Sequence, residues 1–322
     1  TLDVSTWDTT NITIYTNAFY GDSALTTLDV SDWNVTKGTS FAAAFGYCSK
    51  LTALDVSGWV LNTTNNINFD RAFMYCSTLT TLDVSLWNTS KVTNFFCTFE
   101  HCTGLTTLDV SDWDLTSCLN LGGTFSYCTS LTSLDVSLWD VSTVSSFGLY
   151  WYAGTFQGCT GLTAIDVSGW VFNSTSAVNF ENVFYGCTAL TSLDTDSWNT
   201  GKFTSLRNAF YNTTSLGTLD VSGWDTTDVT NMNSAFYGCG TTSLTFNISS
   251  WSVTKVTDFT NAFRAMKCSF DPSAWVINTT SSVNMNYMFA DNTYLTSLDL
   301  SGWDVSKVTS FDRFVEACTN LT

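Results

Sequence analysis

Eleven aspartates stand at one point of a repeated segment, and they are the first candidates for chemistry in this 322-residue chain. They are Asp3, Asp29, Asp55, Asp83, Asp109, Asp135, Asp166, Asp194, Asp220, Asp271 and Asp299, with Asn247 in the remaining copy. Carboxylates on adjacent repeats, about 5 Å apart, would repel by roughly 0.8–3 kcal/mol, so something must offset them. Hydrogen bonds to backbone N–H, or to the Ser two residues on, are one answer. A hard divalent cation such as calcium along Asp29, Asp55, Asp83, Asp109 and Asp135 is another. A row of catalytic acids is the weakest reading, because acid–base pairs need differing environments and a translational ladder makes them alike. We expect neither a catalytic site nor a cofactor.

Cysteine and asparagine are patterned too. Nine of eleven cysteines (Cys48, Cys76, Cys102, Cys128, Cys159, Cys187, Cys239, Cys268, Cys318) fall near one repeat position. Equivalent side chains on stacked repeats run parallel, a poor geometry for disulfides, so the column reads as small buried hydrophobes. Cys118 takes an apolar position, Cys97 lies off the column, and the single His101 makes no metal site. Asn-x-Ser/Thr sequons occur at Asn11, Asn34, Asn62, Asn88, Asn173, Asn212, Asn247, Asn278 and Asn320. Asn62, Asn173 and Asn278 hold one site in three longer repeats. On a secreted eukaryotic chain all but Asn247, which sits in the Asp column, are candidate glycan sites. The insertion Tyr150-Trp151-Tyr152 breaks the pattern and is either local packing or an exposed contact for a carbohydrate or a neighbouring filament.

The balance of residues narrows the classes. A net charge of −17 leaves no basic stripe for nucleic acid or anionic membrane. No apolar run reaches spanning length. Polarity comes from Ser and Thr, 94 residues, more than from charge.

These side chains are positioned by the repeat, marked by tryptophans at Trp7, Trp33, Trp59, Trp87, Trp113, Trp139, Trp170, Trp198, Trp224, Trp251, Trp275 and Trp303. Spacings of 24 to 31 residues are the period of a solenoid. In Leu28-Asp-Val-Ser31 the period-2 alternation turns Leu28 and Val30 inward and Thr27, Asp29 and Ser31 outward, as in a short strand. After the Trp, Val92, Phe95, Phe99 and Cys102 step by 3, 4 and 3, which predicts a short helix. The expectation is an α/β solenoid of about twelve rungs of strand plus short helix, with one parallel sheet and Trp, Phe and Cys core columns.

Leu-x-x-Leu-x-Val followed by Phe-x-x-Cys-x-x-Leu resembles the BspA-like leucine-rich repeats of surface proteins. Leu-Asp-Val-Ser-x-Trp and Lys-Val-Thr-x-Phe are similar to the variant of mycoplasma surface lipoproteins. The resemblance implies an extracellular, adhesive or structural protein with no shared catalytic residues. The chain differs by placing Trp where leucine-rich repeats usually carry Asn, and Phe where the mycoplasma variant often has Met.

Residues 1–322 thus read as one continuous array, and the long repeats at 59–78, 170–189 and 275–294 give it a four-repeat super-period. The last residues, Asn320-Leu-Thr322, joined to Thr1-Leu-Asp-Val would restore a repeat junction, and neither end carries a cap. We therefore expect a window of a longer array, or copies associating end to end into a filament. The expected protein is extracellular or on the cell surface, structural or adhesive, glycosylated, and without a membrane span. The alternative is a module that binds a protein or glycan on its Thr/Asp/Ser face.

Overall fold

The computed structural model describes residues 2–148 and 153–322, and they form a parallel β-solenoid. The first face of each rung is the Leu-Asp-Val segment. Leu28 and Val30 are buried while Thr27 and Asp29 are exposed, as the alternation requires. Its strands are only two residues long. Thr27–Leu28 pairs with Ala53–Leu54, Ser133–Leu134 with Ala164–Ile165, and Ser192–Leu193 with Thr218–Leu219, all parallel. The turn that follows is closed by Trp33 N–H donating to the Val30 carbonyl (3.1 Å).

The continuous sheet lies elsewhere. On the second face, after the Trp, eleven successive parallel bridges run from Ile14 through Ser40, Asn68, Asn94, Asn120, Ser146, Asn179, Ser205, Asn231, Asp258 and Asn284 to Ser310. This is where the 3-4-3 spacing predicts a helix, and the described residues contain none. The backbone shows why. Cys97 and His101 are left-handed (φ 53° and 57°), a conformation no α-helix admits. The N–H of Thr98 bonds the Phe95 carbonyl and that of Cys102 the Phe99 carbonyl, so each closes a tight turn (3.1 and 3.0 Å). The N–H groups of Phe95, Cys97, Phe99 and His101 instead reach carbonyls of the next rung at 2.8–3.0 Å. A helix keeps its hydrogen bonds to itself, whereas this segment sends alternate ones along the axis. The expected α/β solenoid is thus an all-β one.

Inside, every rung contributes to the same columns. Ten of the eleven successive Trp pairs, all but Trp87–Trp113, stack with centroids 5.7–6.4 Å apart and planes within 16°. Such near-parallel rings, offset along one axis, combine large apolar burial with favourable quadrupole contacts. Nine of the indoles donate Nε1–H to a carbonyl of the preceding rung at 2.8–3.4 Å, for instance Trp59 to Val30 and Trp139 to Val110. Tryptophan therefore supplies an inter-rung donor at the place where leucine-rich repeats usually carry Asn. The second face has its own asparagine column. The Oδ1 atoms of Asn68, Asn94, Asn120, Asn179, Asn231 and Asn284 each accept the N–H two residues on, at 2.8–3.1 Å. Among the described residues no helix is long and apolar enough to cross a membrane.

Candidate interaction faces

The Asp column stays on the first face, exposed, and its neighbours explain how it is tolerated. In most rungs Oδ1 accepts both the backbone N–H and the hydroxyl of the Ser two residues on. Asp29 takes Ser31 at 3.1 and 2.7 Å, and Asp83, Asp109 and Asp135 repeat the pair. This is the first reading above, a side-chain turn closing the strand. The same Ser hydroxyl and N–H hold the carboxyls of Asp3, Asp83, Asp135 and Asp220 below their ordinary range, and at Asp299 the backbone N–H of Ser301 leads. These five carboxyls therefore keep their negative charge further into acid than a free aspartate does. Shallow grooves run between its rungs, one of about 600 Å³ lined by Thr27, Asp29, Ser31 and Asp55, another of about 510 Å³ at Asp135, Asp166 and Asp194. Among the described residues no group of three or more His, Cys, Asp or Glu is placed to hold a metal ion.

The cysteines pack as small apolar groups, all free, and all but the half-buried Cys318 are buried. Seven of them (Cys48, Cys76, Cys102, Cys128, Cys159, Cys187, Cys318) aim Sγ at a phenylalanine carbonyl of the preceding rung at 2.9–3.1 Å. Burial pushes Cys48 up to about 11 and Cys118, Cys159 and Cys239 up to about 12, so these thiols stay protonated. Cys268 departs from the expected column. Its place after the left-handed residue Ala265 is filled by Met266, and Cys268 follows two residues later.

The sequons have a structural origin that sequence counting does not reveal. The Oδ1 atoms of Asn34 and Asn88 accept from the N–H and hydroxyl of Thr36 and Ser90. Asp114 and Asp225 do the same at equivalent rungs with Thr116 and Thr227. Asn-x-Ser/Thr is here the asparagine form of one turn motif, [Asn/Asp]-x-[Ser/Thr]. In the long repeats Asn62, Asn173 and Asn278 each cap a wider turn, Asn62 taking the N–H groups of Thr64 and Asn65 at 2.8 and 2.9 Å. Asn62 and Asn278 are buried, Asn173 and Asn212 half-buried, and Asn11, Asn34, Asn88 and Asn320 exposed. Asn247 replaces the ladder Asp and closes the same turn on Ser249.

Tyr150, Trp151 and Tyr152 lie outside the described residues. The chain enters and leaves the insertion through Gly148 and Gly154, where a Cβ would stand 1.8 and 1.9 Å from the Glu181 and Asn182 carbonyls. Only glycine fits against that backbone. Next to it Glu181 is buried and accepts a hydrogen bond from the Ser205 hydroxyl (2.6 Å). Three lysines of the turn after the Trp form inter-rung contacts, Lys37 to Asn11 Oδ1 (2.8 Å) and Lys202 and Lys255 to the two oxygens of Asp228.

One feature of this corner escaped the sequence reading. Tyr20, Tyr47, Tyr75, His101 and Tyr127 form a surface column, with ring centroids 4.3–5.3 Å apart. The recurrence of Tyr47, Tyr75, His101 and Tyr127 one residue before the Cys position is the signal that would have found them, with Tyr20 standing one residue earlier in its own repeat.

No curated protein matches the chain. Among solved structures, it is similar to an internalin from Listeria monocytogenes (14% identity, 93% of this chain and 86% of that one, TM-score 0.25). A leucine-rich repeat protein from Bacteroides ovatus is 16% identical over 90% of this chain and 86% of that one, with a TM-score of 0.26. A leucine-rich cell surface protein from Faecalibacterium prausnitzii is 18% identical over 80% of each chain, with a TM-score of 0.27. A family described as "Mycoplasma protein of unknown function, DUF285" matches residues 1–103, 67–179, 152–275 and 240–322. Those matches run from one end of the chain to the other, and the chain belongs to that family.

Proposed function

We propose that this chain is a structural and adhesive segment of an extracellular surface, part of a fibril or cell-surface appendage and glycosylated on its exposed sequons. The observation that carries the reading is the uniformity of the columns. The Asp, Cys, Asn and Trp side chains are translational copies doing the same packing or turn-closing work, and no reactive set gathers in one cleft among the described residues. A rod of equal rungs holds identical faces in a line, which suits spacing and multivalent contact. Protease treatment of intact cells that make the protein, with electron microscopy of the released material, tests this. Release from unbroken cells and rod-like or fibrous particles are expected. Peptides that appear only after lysis, or compact discrete particles, would refute it.

A second reading, a module binding a protein or glycan on the Thr/Asp/Ser face, draws on the grooves between Thr27, Asp29, Ser31 and Asp55. Alanine at those four outward positions should abolish binding to a glycan array or host-cell extract. Undiminished binding would end this reading.

A further inference from the structure

Neither turn closure nor core packing accounts for two stacked tyrosine columns, that of Tyr20 to Tyr127 and Tyr185–Tyr211–Tyr237, the latter with centroids 4.6 and 4.7 Å apart, and of the two only the first carries exposed members, Tyr20 and Tyr47. Tyr47, Tyr75, His101 and Tyr127 sit at left-handed positions (φ 57–62°), at a tight corner of the rung. Residues with a Cβ are uncommon in that conformation, and phenol rings gain nothing from it locally. What they gain is one another. Tyr47 stacks on Tyr75 at 4.7 Å and 12°, Tyr75 on His101 at 4.3 Å and 15°, and Tyr20 meets Tyr47 edge-on at 5.3 Å. Tyr75 spends both ring faces on Tyr47 and His101, and Tyr47 spends one on Tyr75, which argues against a sugar-binding platform along the column, since a sugar needs a bare face. The edges remain outside. Tyr20 is 51% and Tyr47 37% exposed. Burial, then the Tyr20 phenol and the Glu100 carboxylate, raises Tyr47 above the ordinary phenol range, and burial followed by Glu100 and Tyr47 does so for Tyr75. Both are neutral phenols at physiological pH, so an electron leaves either ring together with its phenolic proton.

We propose that the Tyr20–Tyr47–Tyr75 column is an oxidative cross-linking site, where phenols of two copies of the chain are joined carbon to carbon by peroxide and a haem peroxidase. Each of two tyrosines gives one electron to the oxidised peroxidase and its phenolic proton to water. The two phenoxyl radicals, on different molecules, bond through ring carbons ortho to oxygen. The hydrogens on those carbons move to the oxygens and restore two phenols. In sum, one hydrogen peroxide and two tyrosines give one biaryl and two waters. Stacking adds direction. A radical formed at the half-buried Tyr75 exchanges with Tyr47 through ring contact and couples at the exposed edges of Tyr47 or Tyr20. The buried thiols are shielded from the reaction. Biological use of such a site rests on the extracellular reading, but the chemistry does not, so failure of either leaves the other standing.

The matched control is Tyr294. It is 50% exposed, the same as Tyr20, but has no stacked ring partner among the described residues. Purified protein treated with a plant haem peroxidase and hydrogen peroxide should give covalent dimers with dityrosine fluorescence. Mass spectrometry of the joined peptides should place most links at Tyr20 and Tyr47 and a minor share at Tyr294. Y75F keeps the ring and removes only the oxidisable phenol, so the fold is preserved, and it should cost most of the yield at Tyr47. Y294F should leave total dimer unchanged. Links shared equally among exposed tyrosines, links mapping elsewhere, or a Y75F protein that couples as well as the parent would each overturn the proposal.

Discussion

Two tryptophans in equivalent positions should respond differently to the same substitution. Trp139 and Trp113 are both buried to within 2%. Trp139 stacks on Trp113 and Trp170 at 6.1 and 6.4 Å and donates Nε1–H to the Val110 carbonyl at 2.9 Å. Trp113 is packed as tightly, against Phe95 at 4.3 Å, but its Nε1 has no hydrogen-bond partner. Replacing either by Phe removes the five-membered ring and leaves a small cavity, a loss of about 2 kcal/mol. In W139F a hydrogen bond worth about 1 kcal/mol goes as well. Its acceptor is not orphaned, because the Trp113 backbone N–H still reaches the Val110 carbonyl. In W113F the substitution removes an unsatisfied buried donor, which returns about 1 kcal/mol. The totals are then about 3 and about 1 kcal/mol. Urea titration by far-UV circular dichroism, with equal m-values as the check on comparability, measures the difference. W224F is an internal repeat, since Trp224 Nε1 is also unpartnered. The reasoning fails if W113F and W224F destabilise as much as W139F.

The long repeats supply a further prediction. N62A should cost about 2 kcal/mol, because Asn62 is buried and its Oδ1 closes the turn on the N–H groups of both Thr64 and Asn65, whereas N34A, on an exposed turn, should stay below about 1 kcal/mol; thermal melts of the two compare them. Acid should destabilise the fold in a defined window. Asp3, Asp83, Asp135, Asp220 and Asp299 have folded-state values below their unfolded ones, so their contribution is present at higher pH and lost as pH falls through the folded values, below about pH 4. Asp70 and Glu100, raised by burial, act in the opposite sense and relax as they protonate. Urea midpoints between pH 7 and pH 2 should be near-level and then drop; a steep loss already at pH 5 would contradict this. Iodoacetamide applied to the native protein should label Cys318 at most, and all the cysteines only after denaturation, as read by intact mass.

How much of this was written in the sequence depends on which signal is asked. The rung length and the inward set Leu28, Val30 and Trp33 were legible, because burial of one face demands period-2 alternation whatever the neighbouring rung does. The mycoplasma-type variant named from Leu-Asp-Val-Ser-x-Trp and Lys-Val-Thr-x-Phe is the part of the resemblance that the family match supports. The helix was not legible as an error. Val92, Phe95, Phe99 and Cys102 stand at steps of 3, 4 and 3 in a helix and equally in paired tight turns with left-handed residues at Cys97 and His101. Side-chain spacing cannot tell the two apart, since the difference lies in where the N–H groups point. The asparagine column was hidden because Ser and Asp share it, at Ser40, Ser146, Ser205 and Asp258. The sequons were visible but ambiguous, since one short polar side chain both closes a turn and writes a glycosylation signal.

The alternation of hydrogen bonds along the second face has a mechanical meaning. Half of that segment's amides are tied parallel to the axis, rung to rung, so a pull on the two ends loads them a single layer at a time. A helical bundle under the same pull shears many contacts at once. Here the outermost layer peels while those behind it keep their full set of ties. Each peeled layer frees one repeat of about 26 residues, roughly 90 Å of contour. The rod would then yield in small increments, one repeat of 24 to 31 residues at a time.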